Sequence, residues 1–132
     1  KNETLFDIAS LTKVIATTTA TAILYEEGYL TLNTSITSIL GESFMIANAS
    51  KADMTIEHCL LHTAGYPPDP NPWYWSNNFT CPEATMIPLP EDFSCLSHIY
   101  SSFMDQTLNV NPGVQYLYSD LSFITLQFVL GT

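Results

Sequence analysis

From Ser10 to Glu27 the chain holds neither glycine nor proline, and apolar residues recur at helical spacing at Val14, Ile15, Ala22 and Ile23. Positions three and four apart share one face of a helix, so this pattern predicts a helix, with Gly28 as its C-terminal stop. Thr17, Thr18, Thr19 and Thr21 are weak helix formers. A helix that keeps all four is expected to be held by burial against the rest of the fold. Leu30 and Leu32 alternate with Thr31, which predicts a short extended piece. Asn33 is then placed to cap a short helix carrying Ile36, Ile39 and Leu40. Thr55 is placed to cap IEHCLLHTAG, with Gly65 as its end. Helix is expected again from Ser97 to Met104, a turn at Pro112-Gly113, and a buried helix from Leu121 to Leu130. The pattern is mostly helical, with little strand signal, no internal repeat and no low-complexity tract.

Residues 66–95 break this pattern. Seven of the eight prolines fall between Pro67 and Pro90, with Trp73, Tyr74 and Trp75 among them. A stretch of this kind inside a single domain reads as a long loop or insertion, and such loops are usually either functional or disordered. The three aromatics either line a ligand pocket or form a surface flap with one ring tucked beneath it. Cys81 and Cys95 bracket the second half of the loop, where a disulfide would add about 3 kcal/mol. Cys59 lies in an apolar helical run and reads as a buried free thiol.

Composition narrows the function. The 132 residues carry 13 acids against 3 lysines and no arginine, a formal charge of -10, which disfavours nucleic acid and anionic membrane surfaces as partners. No stretch is long and apolar enough to span a bilayer. Asn-x-Ser/Thr triplets stand at Asn2, Asn33, Asn48 and Asn78, where composition alone would give about two. With the possible bridge they point to a secreted or lumenal protein bearing glycans. The chain opens almost directly on the first helix and closes on the apolar run LQFVLGT, so a fragment of one domain, covering residues 1–132, is the expectation.

The scarce lysines make one position stand out. Ser10 and Lys13 form SLTK, three residues apart, a spacing that puts both side chains on one helix face. A serine hydroxyl is a feeble nucleophile until a neighbouring base takes its proton. Lysine is such a base only when burial or another cation lowers its pKa, and Ile8, Ala9, Leu11, Val14 and Ile15 offer apolar surroundings. A serine at a helix N-terminus also faces backbone N–H groups able to hold an oxyanion. The spacing arises by chance in about one chain in four of this composition. Alone, therefore, it does not separate a catalytic pair from a capping serine with a surface lysine. A second group lies in NPGVQYLYSDLSF, where Tyr118, Ser119 and Asp120 sit between a turn and a helix. A tyrosine beside an ammonium ionises more easily and can pass protons. The plainer alternative makes Tyr118 a core aromatic, and Asp120 is the expected N-cap of the last helix in either case.

Four segments in order resemble the serine β-lactamase and penicillin-binding protein superfamily, most of all its class C branch with the related esterases and D-aminopeptidases. SLTK resembles the family's Ser-x-x-Lys, and EEGYLTLNTSI its helix, Gly, Leu-x-Leu-Asp continuation, with Asn33 where Asp is usual. MTIEHCLLHTAGY resembles its Leu-Leu-x-His-Thr-Ser-Gly segment, and NPGVQYLYSDLSF its Pro-Gly-x-x-(Phe/Tyr)-x-Tyr-Ser-Asn segment. The resemblance implies an α+β, β-lactamase/transpeptidase-like fold, of which this chain covers mainly the helices, the antiparallel sheet being largely missing. It implies Ser10 as the acylated nucleophile, Lys13 as its activator, Tyr118 as the proton shuttle, and Asp120 as the substrate-binding group. Asp120 stands where β-lactamases proper carry Asn. A carboxylate cannot donate to a substrate carbonyl, so an esterase or D-peptidase is favoured over a true β-lactamase. His62 falls in a segment that supports packing in the family, while His58 and His98 read as surface or satisfied core residues. No metal site is expected, because no two His or Cys share a ligand spacing with a third partner, and no cofactor is implied. The family's third motif, Lys/His-Thr-Gly on a strand, is absent, consistent with the expected truncation. The expected activity is hydrolysis of a small-molecule or peptide-like ester or amide through an acyl-enzyme. The rival is a catalytically inactive scaffold kept for binding or assembly, against which the intact Ser10, Lys13 and Tyr118 speak.

Overall fold

A computed structural model describes residues 4–74, 76–79, 81 and 94–132. The first helical stretch is not one uninterrupted α-helix. It begins as a π-helical turn over Lys13–Thr18 and continues as α1, Thr19–Glu26. The threonines take part in this irregularity. Thr18 Oγ1 donates to the Lys13 carbonyl at 2.9 Å and Thr19 Oγ1 to the Val14 carbonyl at 3.2 Å, both five residues back. Thr21 Oγ1 donates to the Thr17 carbonyl at 2.8 Å. Side-chain hydroxyls thus satisfy carbonyls that a widened turn leaves displaced. The expectation that burial holds this helix is corrected: no residue of Lys13–Thr18 is buried, and in α1 only Thr21 is. Val14 and Ile15 remain 64% and 61% exposed. The stop falls at Gly28, whose φ of 80° opens a full Schellman closure. Gly28 N–H reaches the Tyr25 carbonyl at 3.1 Å, and Tyr29 N–H the Leu24 carbonyl at 2.9 Å.

Thr31 and Leu32 belong to a turn rather than a strand. The only pairing at this point among the described residues is an isolated antiparallel bridge between Ser35 and Thr55. Its flanking bonds run from Ile36 N–H to the Met54 carbonyl and from Ile56 N–H to the Thr34 carbonyl. Helix α2, Ile36–Leu40, is preceded by Ser35 at the N-cap, not by Asn33. The turn that delivers it is closed by Thr31 N–H on Thr34 Oγ1 at 2.8 Å. Two 3₁₀ turns follow, Glu42–Met45 and Ala49–Asp53. Helix α3, Ile56–Leu60, is capped by Thr55 as its side chain suggests, with a reciprocal bond in which His58 takes the place usually held by Glu. Thr55 Oγ1 accepts from His58 N–H, and His58 Nδ1 accepts from Thr55 N–H, both at 3.3 Å. This helix ends well before Gly65, and the backbone turns away at His62, where φ is 55°.

Helices α4, Leu96–Met104, and α5, Asp120–Leu130, complete the bundle, with α5 packed on both α3 and α4. Ile36, Phe44, Met54, Ile56, Cys59, Tyr66, Phe103, Leu121 and Leu126 are fully buried between them. Each such apolar side chain is worth roughly 1.5–3 kcal/mol of transfer free energy. Cys59 is a buried free thiol, and Cys81 and Cys95 are joined by a disulfide. The Ser119 side chain caps α5, accepting from Leu121 N–H at 3.2 Å. Asp120 is therefore the first helical residue and not the cap, which frees its carboxylate to face elsewhere.

Lys51, which the sequence pattern did not single out, is buried. Its ammonium donates to the Phe103 and Met104 carbonyls at 2.9 and 2.7 Å, at the C-terminal end of α4 where carbonyls lack intrahelical donors. The Phe44 and Tyr66 rings lie 4.8 and 5.6 Å away. Burial lowers its pKa from 10.5 to about 8, against the pull of Asp105. Lys51→Met is expected to cost about 1–3 kcal/mol, because the Met104 carbonyl loses its donor; an unshifted urea midpoint would contradict this. The sign with pH follows from the lowered value. The unfolded chain holds the lysine proton more tightly, so stability rises as pH climbs above about 8. Buried Cys59 and Tyr66, their pKa values pushed up by burial from 9.0 and 10.0, act oppositely, so the rise levels past pH 9 and the curve turns down past pH 10. Only the rise should vanish in Lys51→Met.

Candidate active site

The turn that presents Ser10 is built from its own sequence. Asp7 Oδ1 accepts the Ala9 N–H at 2.8 Å, and Ala9 adopts φ 42°, a left-handed conformation that a residue with a Cβ rarely holds. Leu11, Thr12 and Lys13 then close successive turns onto the carbonyls of Ile8, Ala9 and Ser10. Strain of this kind persists where surrounding structure fixes it, and it clusters at functional positions.

Tyr118 is brought in from far along the chain by a segment laid against residues 62–68. Asn109 N–H bonds to the Gly65 carbonyl, Gly113 N–H to Thr63 and Leu117 N–H to His62, each at 2.8 Å. Gly65, at φ 88°, has no room for a Cβ, which would collide with the Val110 carbonyl. At the far end Ser119 Oγ donates to the Pro67 carbonyl at 2.6 Å and Asp120 N–H to the Pro68 carbonyl at 3.1 Å.

The structure brings four of the sequence candidates together. Ser10 Oγ receives Lys13 Nζ at 3.1 Å and the Tyr118 hydroxyl at 2.9 Å. Lys13 Nζ also meets Asp120 Oδ1 at 2.7 Å, and it lies 5.3 Å from the centre of the Tyr118 ring. Burial acts to lower the Lys13 pKa, but its bonds to Asp120 and Tyr118 outweigh that, and the net shift is upward from 10.5. The expectation of a lysine lowered toward neutrality is thereby corrected. The physical reason is Asp120: displaced from the cap by Ser119, its carboxylate turns to Lys13 and holds it as an ammonium. In this state Lys13 donates to Ser10, and it takes up a proton only after giving one away.

His62 packs against the same group. Its ring centre lies 4.4 Å from that of Tyr118 and 5.0 Å from that of Phe123, and its Nδ1 accepts the Ser119 N–H at 3.2 Å. Burial and then Lys13 hold its pKa below 6.5, with the Ser119 backbone and then Asp120 opposing. His58 is occupied in the cap of α3, and His98 lies on α4 beside Phe79. Of the aromatic loop, Trp73 is about half exposed, whereas Tyr74 reaches the site; Trp75 lies outside the described residues. A cleft of about 240 Å³ runs between the π-helical turn and α5, lined by Lys13, Thr17, Tyr74, Asp120, Phe123 and Gln127 among others. The Tyr74 hydroxyl is buried and has no hydrogen-bond partner among the described residues. Burial, then the charges of Asp120 and Asp69, raise its pKa, so it is a neutral donor. The structural parts of two residues in this arrangement escaped the sequence reading. Ser119 anchors and caps, and its position between Tyr118 and Asp120 was the available signal. Asp7 shapes the turn that presents Ser10, and nothing in its spacing marks it.

The described asparagines of the glycosylation triplets differ in exposure. Asn33 and Asn78 are exposed, Asn48 is half-buried with its Oδ1 accepting from Ser50 N–H at 2.9 Å, and Asn2 lies outside the described residues. No helix among the described residues is long and apolar enough to cross a membrane.

The family model described as Beta-lactamase matches residues 1–132. No solved structure matches the chain.

Proposed function

Because the chain belongs to the beta-lactamase family, we propose that it is a serine hydrolase that works through an acyl-enzyme. With Lys13 in its deprotonated form, Ser10 gives its proton to Lys13 as it attacks an ester or amide carbonyl, Tyr118 carries a proton to the leaving group, and water releases the acyl group. The observation that carries this reading is the convergence of Lys13 Nζ and the Tyr118 hydroxyl on Ser10 Oγ from positions 108 residues apart for the second pair. The fold we take to be α+β, with the exposed apolar side of the first helical stretch, Leu11, Val14 and Ile15, suited to cover a sheet. Esters and D-peptide-like amides are favoured over lactams, since ionised Asp120 offers no donor to a substrate carbonyl. The test is labelling with a fluorophosphonate followed by peptide mapping. Modification of Ser10 supports the reading, and a wild-type protein left unmodified overturns it.

One observation favours the inactive-scaffold reading: the Asp120 ion pair keeps Lys13 protonated. The same labelling separates the two, because a scaffold used only for binding has no reactive serine.

We also place the protein on the secretory side, supported by the Cys81–Cys95 bridge and the four triplets. Exposed Asn33 is then expected to carry glycan, whereas Asn48, whose side chain is engaged by Ser50, is not. Deglycosylation that converts Asn33 to Asp, read by peptide mass, checks this; the reverse pattern would refute it.

A further inference from the structure

We propose that His62 is a positioning residue that holds the Tyr118 hydroxyl on Ser10 only while its imidazole is neutral, and so sets the acid limit of the reaction. The inference rests on the hydrolase reading above and adds a residue and a pH dependence to it.

His62 holds both neighbours of Tyr118, Leu117 and Ser119, and packs on the Tyr118 ring. Its carbonyl accepts Leu117 N–H at 2.8 Å, its Nδ1 accepts Ser119 N–H at 3.2 Å, and its ring lies against Tyr118 with centres 4.4 Å apart. Phe123 backs the ring on one side at 5.0 Å, and Tyr116 meets it edge-on at 6.1 Å. The imidazole is thus half-buried among these rings, and the backbone that delivers it stands in the left-handed region at φ 55°.

Nδ1 can accept a hydrogen bond only while it keeps its lone pair, so the neutral ring carries its proton on Nε2. A second proton at Nδ1 turns the acceptor into a donor facing the Ser119 N–H. It also places a cation near the Lys13 ammonium. The charged groups acting on His62 are Lys13 from the π-helical turn and Asp120 from α5, and the titratable rings in contact are Tyr116 and Tyr118. Loss of the Ser119 bond frees the peptide group between Tyr118 and Ser119, while the Leu117 bond to the His62 carbonyl stays, and the Tyr118 hydroxyl leaves the 2.9 Å contact with Ser10. The direction follows. The pKa lies below 6.5, so the tie is complete above that pH and fails as pH falls through the lowered value.

Two readouts test this on wild type, His62→Asn and His62→Leu: kcat/KM for a p-nitrophenyl ester across the acid and neutral range, and the ¹⁵N–¹H shift of the Ser119 amide. Wild type is expected to lose about tenfold or more in activity through one titration below 6.5, with the Ser119 amide moving at the same midpoint. Asparagine adopts left-handed backbone readily and sets its Oδ1 where Nδ1 stands, so it keeps the acceptor at every pH. That variant should retain most of the neutral-pH activity and lose the titration. Leucine offers no acceptor and should be slower by about tenfold or more at every pH. An unchanged acid limb in His62→Asn, or a Ser119 amide blind to pH, overturns the proposal. A wild type that hydrolyses nothing but shows the Ser119 titration sinks the hydrolase reading and supports the tie.

Discussion

Ser10→Ala is expected to abolish ester turnover and all fluorophosphonate labelling while leaving the fold in place. The two halves of this expectation have separate causes. Without Oγ there is no atom to form the acyl bond, and removal of a nucleophile from a working serine hydrolase costs on the order of 10⁴-fold or more in kcat. Stability should scarcely change. Ser10 is exposed, and its hydroxyl holds no buried group in place. With Oγ gone, Lys13 keeps its 2.7 Å contact with Asp120, and Tyr118, 42% exposed, turns to water. A surface change of this type lies within about 0.5 kcal/mol. Burst kinetics with a p-nitrophenyl ester, alongside thermal unfolding, measure both. Unchanged turnover in a folded Ser10→Ala protein would remove Ser10 from the mechanism.

Local chemistry made some of this site legible before any coordinates. The Ser10–Lys13 spacing needs only helical geometry, and the structure has both side chains in contact at 3.1 Å. Gly28 and Thr55 act as stop and cap because their preferences are set by their own backbone neighbourhoods. Competition between neighbours was not legible. Asn33 and Ser35 both suit an N-cap, and so do Ser119 and Asp120. In each pair the extended backbone needed at the cap fell on the serine, and Ser119, unlike Ser35, also caps with its side chain. That one-residue shift matters for function, since an Asp120 at the cap would have spent its carboxylate on backbone N–H groups. Instead it pairs with Lys13. The threonine-rich helix was misjudged for a related reason: its hydroxyls bond to carbonyls five residues back, which no apolar periodicity reveals. Lys51 gave no signal at all, because its partners are backbone carbonyls 52 and 53 residues away.

Lys13→Ala and Tyr118→Phe should each slow acylation by about 10²-fold or more, the usual size of a lost general acid or base. The two differ in how pH and substitution shape the loss. Lys13 starts as an ammonium paired with Asp120, its pKa raised above 10.5. Its folded-state stabilisation is therefore complete below 10.5 and fades only as pH rises through the raised value. As a base it is available to Ser10 only in the deprotonated fraction, so acylation that depends on it should keep rising into the alkaline range. Asp120→Asn removes the carboxylate, the strongest of the influences that raise this pKa, while burial continues to lower it. The rise should then begin at lower pH, and neutral-pH acylation should quicken in Asp120→Asn relative to wild type. Asparagine also supplies the amide donor that aspartate lacks, so acylation by a fluorescent penicillin should become detectable alongside ester turnover. Should Asp120→Asn instead lower acylation at every pH, with no displacement of the alkaline rise, the carboxylate would be a working part of the proton path rather than a restraint on Lys13.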